Sequence, residues 1–227
     1  MEHKKTYFIT GIDTDAGKTW VTGAFARYLV DRGQSVVTQK IAQTGCVGTS
    51  EDIERHRLMM GTGALPEDAQ GLTCPFIFTV PCSPHLAAEI DGGRIDPEKI
   101  TAARKELEKR YEYVLCEGGG GLCVPLTREE YLVDWLARQD LPVVLVTSGK
   151  LGSINHTVMS LEVCRSRGID IAAVVYNYYP DVLPQIEADT VRVIRDYLDK
   201  TYPRCAFIRV GNLAQEGYGS ADFSALL

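Results

Sequence analysis

The run Gly11-Ile12-Asp13-Thr14-Asp15-Ala16-Gly17-Lys18-Thr19 reads as a P-loop of the G-x-x-x-x-G-K-[ST] kind with one extra residue, five rather than four standing between Gly11 and the Gly17-Lys18-Thr19 end. Glycines in such a loop let backbone N–H groups turn inward on a phosphate, and the helix that follows adds partial positive charge at its N-terminus. Lys18 can then reach the outer phosphates, and the Thr19 hydroxyl can bind Mg²⁺. Nucleotide binding is therefore expected from Asp13, Thr14, Asp15, Ala16, Gly17, Lys18 and Thr19. A P-loop of this kind needs a carboxylate at the end of a neighbouring strand to hold the metal. The apolar run Tyr113-Val114-Leu115-Cys116-Glu117 supplies Glu117, directly ahead of Gly118-Gly119-Gly120-Gly121. Residues without a Cβ let the backbone approach a ligand closely, which adds Gly118, Gly119 and Gly120 to the expected contacts. Lys40 ends a second apolar run and would emerge on the same carboxyl edge, where an ammonium can neutralise charge developing in phosphoryl transfer. Asp52, in Ser50-Glu51-Asp52, is a further metal carboxylate by type, although spacing does not separate it from Glu51 or Glu54.

These groups need a frame. Short apolar runs alternate with longer segments of helical period, and several of the runs close on Gly, Asn or an acidic residue, the mark of β-α units around a parallel sheet. Strands are expected over residues 6–10, 35–39, 113–117, 142–147, 171–176 and 205–209. Helices are expected over 18–32, 97–110, 131–139, 154–167 and 184–200. Strands apolar almost throughout imply helices on both faces of the sheet. The expectation is an α/β P-loop NTPase fold with a mostly parallel central sheet, as a single domain over residues 1–227. Residues 41–90 are the least regular, rich in Gly, Thr, Ser and Pro, and are read as site-lining loop.

Composition narrows the function classes. With 227 residues, 45% hydrophobic and 24% charged, the chain reads as an ordinary globular domain, not as a disordered chain, coiled coil or collagen. The 24 Lys+Arg against 30 Asp+Glu give a net charge of −6, a poor footprint for nucleic acid or an anionic membrane. The longest uncharged stretch, residues 69–88, is interrupted by Pro75, Pro81 and Pro84, so no membrane span is expected. The apolar run near the N-terminus is too short for a signal peptide, which makes a cytoplasmic setting the default. The 7 cysteines form no C-x-x-C pair and are read as buried small hydrophobes in a reducing compartment.

Five motifs in order carry a family likeness: the P-loop, Lys40-Ile41-Ala42-Gln43-Thr44-Gly45, Pro81-Cys82-Ser83-Pro84-His85, Glu117-Gly118-Gly119-Gly120-Gly121, and Lys150-Leu151-Gly152-Ser153-Ile154-Asn155-His156-Thr157. Together they resemble the dethiobiotin synthetase family. The resemblance implies an ATP- and Mg²⁺-dependent cyclo-ligase of biotin biosynthesis that closes the ureido ring of dethiobiotin on 7,8-diaminononanoate (7,8-diaminopelargonate) and CO₂. It also implies Thr19, Asp52 and Glu117 as metal ligands, Lys18 and Lys40 as catalytic groups at the γ-phosphate and carbamate, and Asn177 on the adenine. Substrate contacts are implied for Thr14, Lys40, Thr44, Ser83 and Gly120. A homodimer is implied as well, with Lys150, Leu151, Gly152, Ser153, Ile154 and Asn155 receiving the substrate carboxylate from the other subunit. The chain departs from the family pattern at Ile41, where Pro is common, and at Arg209-Val210-Gly211-Asn212, where a Pro often stands near the base.

Other residues are read plainly. His85 lacks triad partners, His3 and His56 are expected at the surface, Trp20 and Trp135 in the core, and His156 as a group orienting the carboxylate turn. Two other classes share the P-loop. Amidating enzymes of the cobyrinic acid synthase type carry an extra glutaminase domain, for which the residues after the last expected strand are too few. Nucleotide switches carry an Asn-Lys-x-Asp or an extra P-loop Lys, and neither stands here.

Overall fold

In the computed structural model, which describes residues 5–179 and 181–227, the six apolar runs form one sheet. His3 lies outside the described residues. In chain order the elements are β1 (Lys5–Gly11), α1 (Lys18–Val30), β2 (Val36–Lys40), β3 (Gln43–Thr44), α2 (Glu51–Met60), α3 (Pro66–Ala69), β4 (Ile77–Phe78), α4 (Pro84–Ile90), α5 (Pro97–Arg110), β5 (Tyr113–Gly121), α6 (Leu132–Ala137), β6 (Val143–Ser148), α7 (Ser153–Ser166), β7 (Ile171–Asn177), α8 (Pro184–Thr201), β8 (Ala206–Val210) and α9 (Leu213–Glu216). The main sheet runs β2-β5-β1-β6-β7-β8, and its neighbours pair in parallel. All carboxyl ends therefore open on one edge, where the P-loop, Lys40 and Glu117 lie.

Alternation along each strand feeds two cores. Phe8, Cys116 and Leu145 point to one face, where Trp135, Leu107 and Leu161 pack. Tyr7, Ile9, Leu115, Val144 and Val146 point to the other, against Phe25 and Leu29 of α1 and the C-terminal Phe223. On that second face α1 meets α2 at a notch: a Cβ on Gly23 would fall on the Met59 thioether, so the glycine sets how closely the two helices approach.

The expected elements are present with shifted ends. α5 matches its expectation, α1 stops at Val30, α6 is shorter than residues 131–139, and α7 begins at Ser153. β5 continues through Gly121, so its glycines are strand rather than the turn that follows one. The larger correction concerns residues 41–90, which hold three helices and a small parallel sheet pairing Gln43 with Ile77 and Thr44 with Phe78. In α2 the buried face carries His56 and Arg57 beside Ile53, Met59 and Met60, and these polar side chains mask the apolar stripe. Its end signals are plain, however: the Ser50 side chain accepts from the Ile53 N–H, and Gly61 closes the helix at φ 73°.

All seven thiols are free, and burial pushes Cys74 up to about 11 and Cys116, Cys164 and Cys205 up to about 12. Only Cys123 is exposed. Ellman's reagent on native protein is expected to react first at Cys123, with Cys116 and Cys164 reacting only after denaturation. Mass mapping that finds Cys116 labelled early in the native state would contradict this packing.

Candidate active site

The P-loop is built by its own short contacts. Asp13 accepts a 2.6 Å hydrogen bond from the Thr14 N–H at the start of a single 3₁₀ turn, and Gly17 at φ 93° launches α1. A side chain at Gly17 would be strained by that φ and would collide with Asn177. The Asn177 amide donates to the Ala16 carbonyl at 3.1 Å and accepts from the Tyr179 N–H at 3.1 Å, which ties the loop to the end of β7. Lys18 is buried and its ammonium donates to the carbonyls of Asp13 at 2.8 Å and Thr14 at 3.3 Å.

Opposite the loop, register brings the charges together. Lys40 and Glu117 are partners across β2 and β5, and the Lys40 ammonium lies 2.7 Å from Glu117 Oε1, 2.5 Å from Asp52 Oδ2 and 3.4 Å from the Gly118 carbonyl. Thr19 Oγ1 lies 3.0 Å from Asp52 Oδ1 and 3.1 Å from Glu117 Oε1. Asp52, in the first turn of α2, is thus the acidic residue that α2 brings to Thr19, whereas Glu51 and Glu54 are exposed. Burial opposes charge on Lys40, but Glu117 and Asp52 outweigh it and raise its pKa. Burial likewise opposes charge on Glu117, and Lys40 with the His56 hydrogen bond outweighs it, so the carboxyl is held well below the usual range. Ile41, where the family commonly has Pro, donates its N–H to the Glu117 carbonyl at 3.1 Å, a bond that proline lacks the hydrogen to make.

One hydroxyl and two carboxylates converge here, a hard-oxygen donor set that suits Mg²⁺. Among the described residues no cluster of three or more His, Cys, Asp or Glu forms a metal cage, so Thr19, Asp52 and Glu117 would hold such an ion together with nucleotide phosphates.

A cleft of about 700 Å³ beside α2 and α3 is larger, but it misses the P-loop; the chemistry gathers in one of about 600 Å³. Thr14, Lys18, Thr19, Lys40, Thr44, Asp52, Ser83, Glu117, Gly119 and Gly120 line it, with β3 delivering Thr44 and the start of α4 delivering Ser83. Asp13 and Asp15 are exposed on the loop, Ala16 is buried beneath it, and Gly118 is in β5. Asn177 lies in a separate cavity of about 350 Å³ with Trp20, Tyr179, Gly211 and Asn212. The stretch from Lys150 to Asn155 does not line the cleft: Lys150, Leu151, Gly152 and Asn155 are exposed, Ile154 is half-buried, and the Ser153 hydroxyl donates to the Lys150 carbonyl at 2.6 Å at the N-terminus of α7. His156 is exposed one turn into that helix, and His85 lines another cavity with Glu89 and Arg94.

Two expectations are corrected. His56 is not a surface residue: it is fully buried, with Nε2 3.0 Å from Glu117 Oε2. It sits one helical turn past Asp52, and that i, i+4 spacing was the available signal. Trp20 is not core. It is half-buried at the wall of the Asn177 cavity, with the Arg55 guanidinium 5.0 Å from its ring centroid, whereas Trp135 is fully buried as expected.

A family model described as an AAA domain matches residues 5–202. The chain is 50% identical over 203 residues to ATP-dependent dethiobiotin synthetase BioD 2 of Pasteurella multocida, which spans 89% of this chain and 95% of that protein. It is 50% identical over 186 residues to ATP-dependent dethiobiotin synthetase BioD of Chlorobaculum tepidum, 82% of this chain and 78% of that one. Among solved structures it is similar in fold to a ParA family ATPase from Chlorobium tepidum, with a TM-score of 0.54 at 15% identity over 95% of this chain and 88% of that one.

Burial, and then the nearby Lys40, lower the Lys18 pKa to about 8. A phosphate bound against Lys18 favours its charged form, so binding above that pKa must take up a proton. ADP affinity, measured by calorimetry, is expected to be flat below about pH 7.5 and roughly tenfold weaker at pH 9 than at pH 7. Equal affinities at the two pH values would refute the depressed pKa.

Proposed function

The chain belongs to the ATP-dependent dethiobiotin synthetase family, and on that premise we propose that it is the enzyme that closes the ureido ring of dethiobiotin in biotin biosynthesis. The substrates are 7,8-diaminononanoate, CO₂ and ATP. One amine adds to CO₂ and loses a proton to give a carbamate. The carbamate oxygen attacks the γ-phosphorus and ADP leaves, forming a carbamic-phosphoric anhydride. The second amine then attacks the carbamoyl carbon, the bond to the phosphate oxygen breaks, and the ring closes with loss of a proton.

The observation that carries this reading is the convergence of Thr19, Lys40, Asp52 and Glu117 across one cleft from Lys18, with Thr44 and Ser83 on its rim. Lys18 and Lys40 neutralise the phosphoryl oxygens and the carbamate as charge moves between them. Lys40 suits this task because its two carboxylates keep it protonated and hold its stem in one place. Thr14, Ser83 and Gly120 line the side of the cleft that would orient the diamine. Thr19, Asp52 and Glu117 would hold Mg²⁺, which would supply charge neutralisation of the nucleotide phosphates. Asn177, beside a cavity large enough for a base, is assigned to the adenine.

The enzyme acts as a homodimer in this reading. The turn from Lys150 to Asn155 stands away from the chain's own cleft with Leu151 fully exposed, and the free N–H groups of the first turn of α7 suit a carboxylate bound to a second subunit. Among the described residues no helix is long and apolar enough to cross a membrane, and the seven free thiols support a reducing, cytoplasmic setting. Neither carboxylate amidation nor a partner-binding switch is favoured by relatives at 50% identity that carry the synthetase name.

Purified protein is expected to convert diaminononanoate, bicarbonate and Mg-ATP into dethiobiotin with stoichiometric ADP, followed by mass spectrometry. ATP hydrolysis that proceeds equally well without the diamine, and with no product, would overturn the ligase reading. Lys40→Ala should lower kcat by about 10²- to 10³-fold, with ADP affinity within a few-fold of wild type; near-normal turnover would remove Lys40 from the chemistry. Sedimentation velocity is expected to show a dimer at assay concentrations, and a fully active monomer would exclude a shared site.

A further inference from the structure

The mechanism above gives His56 no part, yet it is among the most tightly placed groups in the site. It lies on α2 one turn beyond Asp52, so both side chains project to the same edge of the sheet. His56 and Glu117 are each 0% exposed, with Nε2 and Oε2 3.0 Å apart. Among the described residues, the buried Nδ1 of the same ring has no hydrogen-bond partner. An imidazole taken out of water loses hydrogen bonds that only new partners can offset. Among the described residues the sole return is the bond to Glu117, whereas the other buried positions of α2 hold Arg57, which is paired with Asp68 and Thr38, and the apolar Ile53, Met59 and Met60.

Glu117 divides its two oxygens accordingly. Oε1 faces Lys40 at 2.7 Å and Thr19 at 3.1 Å, whereas Oε2 faces His56. A carboxylate held by Oε1 alone could turn about its terminal torsion, which is a broad, soft rotation. With Oε2 pinned, Oε1 stays aimed at Thr19.

We propose that His56 is a positioning residue for Glu117: it donates Nε2–H to Oε2 and thereby presents Oε1 beside Thr19 Oγ1 and Asp52 to the divalent cation of the metal–nucleotide complex. This rests on the proposed role of Glu117 as a metal carboxylate. Hydrogen bonds of this kind behind a metal ligand are worth about 10- to 100-fold in metal affinity. The donated proton sits on Nε2, so the amide nitrogen of glutamine, which reaches a comparable distance from the backbone, can replace it. Asparagine is too short and leucine has no donor.

The test compares wild type with His56→Gln, His56→Asn and His56→Leu. ADP affinity is measured by calorimetry in EDTA and in Mg²⁺, and Mn²⁺ binding to the ADP complex by electron paramagnetic resonance. His56→Leu is expected to leave ADP affinity in EDTA within about twofold and to weaken Mn²⁺ binding about 10- to 100-fold. In turnover assays its Mg²⁺ half-saturation should rise more than kcat at saturating Mg²⁺ falls, and His56→Gln should recover most of the metal affinity. Unchanged Mn²⁺ affinity in His56→Leu, or equal losses of ADP affinity in EDTA and in Mg²⁺, would overturn the proposal in favour of a packing role. If the leucine variant does not fold, the glutamine and asparagine variants decide: equal metal affinity in the two would overturn it. Loss of Mn²⁺ affinity in a protein that makes no dethiobiotin would support the positioning role while rejecting the ligase.

Discussion

Lys40 and Glu117 face each other on neighbouring parallel strands, and the pair is almost wholly shut away from water. Burying two charges is tolerable only when each satisfies the other, and removing one partner of such a pair costs about 3–5 kcal/mol because the remaining charge has nowhere to go. That constraint organises the edge around it. The β2/β5 register sets the two residues level, and the Ile41 N–H closes the strand ends onto the Glu117 carbonyl. The Ser50 cap starts α2 where Asp52 can reach the ammonium, and His56 holds the far oxygen of Glu117. The P-loop then needs only to bring Thr19 to the same carboxylates.

Because every strand of the main sheet points the same way, all of these groups leave the sheet at one edge. The opposite requirement, that the sheet be dry, is met by two separate cores, each fed by alternate residues of the same strands. Division of labour follows from this. The middle of the strands carries packing and the carboxyl ends carry charge, so the site can hold buried ionised groups without interrupting either core.

The strands and the P-loop were readable from sequence because each has a local cause: an unbroken apolar run for a strand buried on both faces, and glycine spacing for a loop that wraps a phosphate. Lys40 and Glu117 were readable as strand ends, but their contact was not, since register is a property of two segments. Asp52 could not be told from Glu51 and Glu54 until the helix direction was known. α2 itself stayed hidden because His56 and Arg57 interrupt its apolar face, and both are buried for polar partners: Glu117 for one, Asp68 and Thr38 for the other. Trp20 was misplaced for a related reason. A large aromatic on a helix usually signals core, whereas here the first turn of α1 faces the nucleotide edge.

The notch between Gly23 and Met59 gives this arrangement a mechanical character. α1 carries Lys18 and Thr19, α2 carries Asp52 and His56, and the two helices are clamped together well behind the reacting groups. They therefore behave as one jaw of a vice whose gap is set at its heel. A single added methyl at Gly23 would fall on Met59 Sδ and Cε, so the flexible end of that buried side chain would have to move before the two helices could keep their spacing. A change at this position is thus silent in any comparison restricted to site residues.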